Sequence, residues 1–187
     1  MPGMFVRAPR ANPDTSGWNT AKVTSMQNMF YQASDANPDT TGWDTSEVTS
    51  TYAMFYRAGS ANPNTGQWDT GKVTDMGYMF YEANNANPDT SGWNTANVVN
   101  MANMFRGATM AEPDVHLWDT RAVNDMEGMF LDITLDSAVY SVFLINLSRG
   151  NDESGVILDG GGAQYNASAA EARQALIDDR GWTIRDG

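Results

Sequence analysis

Trp18-Asn19-Thr20-Ala21-Lys22-Val23-Thr24-Ser25-Met26-Gln27-Asn28-Met29-Phe30 is the stretch whose reading decides the fold, because its pattern returns every 25 residues. Trp18, Trp43, Trp68, Trp93 and Trp118 keep that step, as do Val23, Val48, Val73, Val98 and Val123. Met29, Met54, Met79, Met104 and Met129 follow it too, each with a Phe behind it. Upstream of each Trp lies Ala-Asn-Pro-Asp-Thr or a close variant, with prolines at Pro13, Pro38, Pro63, Pro88 and Pro113. A fixed period of about 20 to 50 residues marks a solenoid, propeller or array, in which each unit buries its apolar face by stacking on the next.

At 187 residues and 41% hydrophobic content the chain can bury a sizeable core. Its net charge of -12, with Lys22 and Lys72 the only lysines, argues against nucleic acid and against anionic lipid as partners. Without cysteine it has neither a disulfide framework nor a thiolate metal site. There is no apolar run long enough for a membrane span, and Met1-Pro2-Gly3 lacks the basic start of a secretory signal. Met4-Phe5 and Ala8 lie 25 residues before Met29-Phe30 and Ala33, so the array begins in mid-unit. The expectation is a monomeric fragment of a larger chain, with any signal peptide upstream.

Within a unit, Val23, Met26, Met29, Phe30 and Ala33 are spaced 3, 3, 1 and 3 apart, which predicts one stripe of a short helix. Thr20, Thr45, Thr70, Thr95 and Thr120 precede that stripe as N-cap candidates. Asp14 to Trp18 reads as a short strand opened by Pro13 and paired in parallel with its copies. Parallel strands joined by helices predict an α/β, right-handed solenoid with strands about 4.8 Å apart. The methionines read as core filler beside Phe. Thr51 replaces the first Met of its unit and predicts a weaker layer.

The pattern Trp-Asp/Asn-Thr-x-x-Val-Thr-x-Met-x-x-Met-Phe-x-x-Ala, over residues 4 to 135, resembles the repeat of the BspA-type leucine-rich-repeat surface proteins of bacteria, in a variant rich in Met, Phe and Trp. The resemblance implies a leucine-rich-repeat-like fold, export to the cell surface, and adhesive binding of extracellular ligands. This chain departs from it at Ala11 and Thr15 and their copies, where the family carries large apolar residues, and only Val115 breaks the run of Ala and Thr. A slimmer strand face is expected.

The tail resembles the module that closes such arrays, and a terminal coil needs a cover with a polar outer face. Val139, Val142, Phe143 and Leu147 predict a helix, Val156-Ile157-Leu158 a strand, and Gly160-Gly161-Gly162 a turn. Ser168-Ala169-Ala170-Glu171 reads as a capping box opening a second helix that ends near Gly181. Trp182-Thr183-Ile184 reads as a last strand. The expected organisation is a partial repeat at 1–10, repeats at 11–35, 36–60, 61–85, 86–110 and 111–135, and a C-terminal α/β capping module at 136–187.

Nothing in the sequence points to catalysis. His116 is the single histidine, without a second nitrogen or thiolate ligand nearby, and no phosphate loop or nucleophile elbow occurs. The expected function is non-enzymatic recognition of an extracellular protein or glycan at the cell surface, through the strand-lined face. Its candidate residues are Ser16, Asn19, Thr41, Asp44, Asp69, Ser91, Asn94, His116 and Asp119, which form ladders of exposed polar groups. One alternative is calcium held by the acidic corners at Asp14, Asp39, Asp89 and Asp114, although Asn-Pro-Asp is also ordinary turn chemistry. Another is ice or crystalline-surface binding by a ladder of Thr15, Thr40, Thr65 and Thr90.

Overall fold

A computed structural model of the protein describes residues 1–187. Successive 25-residue units lie on one another, joined by backbone hydrogen bonds. The amides of Met26, Asn28, Phe30 and Gln32 donate to the carbonyls of Ser50, Tyr52, Met54 and Tyr56 at 3.0, 2.9, 2.8 and 2.7 Å, and later units repeat the scheme. The intervening amides of Met29, Tyr31 and Ala33 turn back to Met26, Asn28 and Phe30. The remaining amide, at Gln27, donates to the Ser25 hydroxyl. Asp75, Asn100 and Asp125 accept in the same way from Gly77, Ala102 and Glu127, which explains a short polar side chain at that place in every unit.

This geometry corrects the helix expected from Val23 to Ala33. An i to i+3 bond with a left-handed residue third in line is a type II turn, and Asn28 (φ 55°) and Gln32 (φ 57°) hold those places. Their copies Ala53, Arg57, Tyr78, Glu82, Asn103 and Asp132 are also left-handed, as are Gly107 and Gly128. The stretch is therefore a run of four-residue turns. Four-residue turns and a 3.6-residue helix send the same side chains inward, so the spacing does not separate them.

Two further expectations change with it. Thr20 caps no helix; its buried hydroxyl donates to the carbonyl of Asp44 at 2.9 Å, in the next unit. No strand forms at Asp14 to Trp18, where the Trp18 amide closes a turn on the Thr15 carbonyl. The parallel bridges fall instead at Ser25, Ser50, Asp75, Asn100 and Asp125. An Asp side chain that caps its own turn, as Asp14 does for Ser16, competes with extended pairing there.

Val23, Met26, Met29, Phe30 and Ala33 are buried, and so are their counterparts in the later units, the substituted Thr51 included. The phenylalanines form one stacked column from Phe5 to Phe130, with centroids 5.4 to 6.2 Å apart. Thr51 fits this interior with a long hydroxyl contact of 3.5 Å to the Asp75 carbonyl.

The tail comprises α1 (Ser137–Gly150), β1 (Ile157–Asp159), a 3-10 turn at Ala167–Ala169, α2 (Ala170–Arg180) and β2 (Thr183–Arg185). Strands β1 and β2 pair in parallel. β1 also takes the place of a further unit: Leu158 bridges Met126, and the Phe130 amide donates to the Asp159 carbonyl at 3.0 Å. Phe143 of α1 meets Phe130 edge-on and ends the stacked column. Buried Asn151 donates to the Thr120 and Val123 carbonyls, both at 2.7 Å. The face of α1 differs from expectation, since Val142 is exposed while Tyr140, Ser141 and Leu144 join Phe143 and Leu147 inside. The capping box does not form either; Asn166 accepts from the Ser168 amide and caps the 3-10 turn, which leads straight into α2.

The hydroxyls of Thr15, Thr40, Thr65 and Thr90 donate to the carbonyls of Asp39, Asn64, Asp89 and Asp114 at 2.6 to 2.8 Å. The row ends in fully buried Val115, where no sixth repeat offers a carbonyl. Thr65→Val should therefore cost about 1 to 3 kcal/mol by urea denaturation, although it keeps the shape, because the Asp89 carbonyl loses its donor. Trp68 is 4% exposed, and its indole nitrogen has no partner, unlike Trp43, Trp93 and Trp118, which donate to Thr carbonyls. Trp68→Ala should cost about 3 to 5 kcal/mol by thermal or urea unfolding, while Trp68→Phe should cost less than Trp93→Phe.

Candidate functional site

The predicted ladder residues are mostly solvent-exposed, with His116 and Asp119 partly buried. Their polar groups mainly close their own turns. The Ser16 hydroxyl and amide donate to Asp14, the Thr41 amide to Asp39, and the Ser91 hydroxyl and amide to Asp89. Asn19, Asp44, Asp69 and Asn94 accept from the amides two residues on. Asp119 is clamped by Arg121. His116 contacts Asp114, and its carbonyl accepts from Asn146 of α1. The residues recur at the 25-residue step as expected, but most offer a partner only what their own turn leaves over.

The same turns answer the calcium alternative. The Ser16 hydroxyl holds the Asp14 carboxyl below its ordinary range, and Ser46 and Ser91 do the same for Asp44 and Asp89; for Asp39 the main cause is the Thr41 amide. Calcium asks for six to eight oxygens, and Asp14, Asp39, Asp89 and Asp114 supply one carboxylate per unit, with no group of three acidic residues meeting anywhere in the chain. These residues do not fit a calcium cage. Nor do the threonines fit an ice-binding surface, since Thr15, Thr40, Thr65 and Thr90 are at most 1% exposed and their hydroxyls hold the units together.

A different face stands out. Five of the seven tyrosines, Tyr31, Tyr52, Tyr56, Tyr78 and Tyr81, lie half-buried on the tandem turns. Tyr31, Tyr56 and Tyr81 stack with centroids 4.5 and 4.6 Å apart. Tyr78 is tilted by 34° to 59° against Tyr52, Tyr56 and Tyr81. The Arg57 guanidinium lies 5.4 Å from the Tyr56 ring and 5.7 Å from Tyr81, and bonds Glu82 through two nitrogens. Arg106 lies 5.6 Å from Tyr81. Burial raises the Tyr52 and Tyr56 hydroxyls above their ordinary value, so they stay neutral donors at physiological pH.

The tandem turns create this face. Two left-handed residues per unit bring side chains such as Tyr78 and Arg57 outward on a backbone already tied to its neighbours. The sequence carries a signal for it, because Tyr31, Tyr56 and Tyr81 keep the 25-residue step directly after the inward Phe. Read as a helix stripe, an aromatic beside that Phe looks like more core.

A family model described as "Mycoplasma protein of unknown function, DUF285" matches residues 1–93 and again residues 60–136. The chain belongs to this family. No curated protein and no solved structure matches it. The two matches together take in every DUF285 repeat described above, including all five tyrosines of the face, and stop at the start of the tail.

Depressed carboxyl values in the folded state contribute stability that is present above the ordinary carboxylate range and lost as pH falls through the lowered values. The melting temperature should accordingly be indifferent to EDTA and to millimolar calcium, and should fall on acidification below about pH 4. Differential scanning fluorimetry across both series checks this.

Proposed function

We propose that this protein is a non-enzymatic recognition module of the cell surface that binds an extracellular protein or glycan. Its repeats would form a solenoid akin to those of the BspA-type leucine-rich-repeat surface proteins. The observation that carries this reading is the tyrosine and arginine face. Tyr and Arg are enriched at the energetic centres of protein interfaces, because each offers a large rigid surface with a polar end, whereas Lys is depleted there. Here the stacked rings and the ion pair with Glu82 hold the side chains in place before any partner arrives, which lowers the ordering cost of binding. Both lysines lie outside this face, Lys72 pairing with Glu47.

The contact surface proposed thus differs from the ladder of Ser16, Asp44 and their copies. The net charge of -12 supports a protein or glycan partner over nucleic acid. A non-enzymatic role is supported by the setting of His116, the lone histidine, whose ring is held by Asp114.

Biolayer interferometry against immobilised matrix proteins and glycans tests the reading. Binding is expected, with Tyr56→Ala and Arg57→Ala each weakening it about tenfold or more, and Ser16→Ala and Asp44→Asn leaving it unchanged. Silence against the whole panel, or loss confined to the Ser16 and Asp44 variants, would overturn it.

A further inference from the structure

At the end of the tyrosine face nearest the tail, the surface sinks into a cleft of about 560 Å3 that runs from the second to the fifth repeat and onto β1 and β2. Tyr78 and Tyr81 line one side, and Asn103, Arg106, Glu127 and Arg185 supply the polar rim. A volume of this size suits a ligand of one or two rings.

Asn103 is the decisive group. It is only 8% exposed, yet its amide nitrogen donates to nothing in the protein. Its orientation is fixed chemically, since Arg106, which can only donate, bonds the side-chain oxygen at 3.4 Å. This donor lies at the cleft wall, within reach of solvent and free for a ligand acceptor. Glu127, exposed beside it, is an acceptor held only loosely by Arg185 at 3.9 Å. Tyr78 is tilted out of the tyrosine stack, so its ring plane differs from those of Tyr52, Tyr56 and Tyr81 at this end of the face, where it lines the cleft.

The charges then narrow the ligand. Arg106 and Arg185 are matched by Glu127 and the buried Asp159, which Arg185 meets at 3.3 Å. Arg106 is further leaned on by Asp132 at 3.7 Å. The cleft has no surplus positive charge, and the protein as a whole carries -12, so an anionic ligand is disfavoured. What fits is a neutral ring with an apolar face and a rim of groups that both donate and accept. We infer that the cleft formed by Tyr78, Asn103, Arg106 and Glu127 binds a neutral pyranose sugar, its apolar face on the Tyr78 ring and its hydroxyls on Asn103 and Glu127. This rests on the recognition reading above and names the chemical class that one part of the face selects.

Saturation-transfer NMR on the full chain, with maltose, cellobiose, N,N′-diacetylchitobiose and lactose against sialyllactose and galacturonate oligomers, tests it. At least one neutral disaccharide is expected to bind with a Kd on the order of 1 mM or tighter, and the anionic sugars not to bind. Tyr78→Ala and Glu127→Gln should each weaken that binding about tenfold, whereas Lys22→Ala, outside both the cleft and the tyrosine face, should leave it unchanged. Glu127 is exposed, so its variant keeps the test informative should Tyr78→Ala unfold the chain. Absence of every neutral sugar, a preference for the anionic ones, or binding insensitive to both cleft variants would overturn the sugar site. If the interferometry panel still finds a partner through Tyr56 and Arg57, the recognition reading stands without it; if a sugar binds and that panel is silent, the reverse holds.

Discussion

The bond from one unit's amide to a carbonyl 24 residues on is the constraint on which the rest of this structure depends. Four amides per unit, those matching Met26, Asn28, Phe30 and Gln32, make it. The threonine hydroxyls of two further rows repeat it from side chains, Thr15 to Asp39 and Thr20 to Asp44. The Asn row adds it in the other direction, with the Asn37 amide donating to the Asn12 side chain. A one-residue insertion would shift all of these at once, which explains why the Trp, Val and Met anchors never lose step across five units.

The ladder also makes the left-handed residues tolerable. A residue other than glycine at positive φ costs about 1 kcal/mol or somewhat more, and most units carry two. In isolation such a run of turns would unravel. Through the first four repeats each left-handed residue sits at an amide that donates to the next unit, so relaxing its backbone would leave a carbonyl below without a donor. Stability is therefore a property of neighbours, and the tail has to continue the pattern at the last repeat. β1 does so for the backbone, with Asp159 accepting from Phe130 through its carbonyl and from Gly128 through its carboxylate.

Which parts were legible in sequence follows from the same physics. Inward residues were readable, since Trp43, Val48, Met54 and Phe55 have nowhere to go but the interior and recur on a fixed step. The conformation joining them was not, because a four-residue turn and a helical turn bury the same set and the deciding bonds run to residues 24 positions away. Thr20 shows the difficulty: as a local signal it is an N-cap, while its actual acceptor, Asp44, is visible only once the units are stacked. Asn-Pro-Asp was legible as turn chemistry for the opposite reason, the Asp14 bonds to Ser16 being two residues long, although the strand read over Asp14 to Trp18 does not form.

The candidate site was harder to read because it consists of what the ladder leaves free. Places on the tandem turns outside the inward column vary more, and across the units they hold Tyr31, Tyr56, Tyr81, Arg106 and Leu131 in one row and Asn28, Ala53, Tyr78, Asn103 and Gly128 in another. That latitude lets aromatic and cationic groups gather at the middle of the array without disturbing the backbone beneath. The gathering is also directional. Tyrosines stack through the first three repeats with Arg57 against them, Arg106 follows in the fourth, and the row ends at the cleft where the Asn103 amide nitrogen and Glu127 are free of protein partners beyond Arg185. A repeat protein can thus place a graded surface on a uniform frame: identical bonds set the positions, and the side chains exempt from those bonds decide what is recognised.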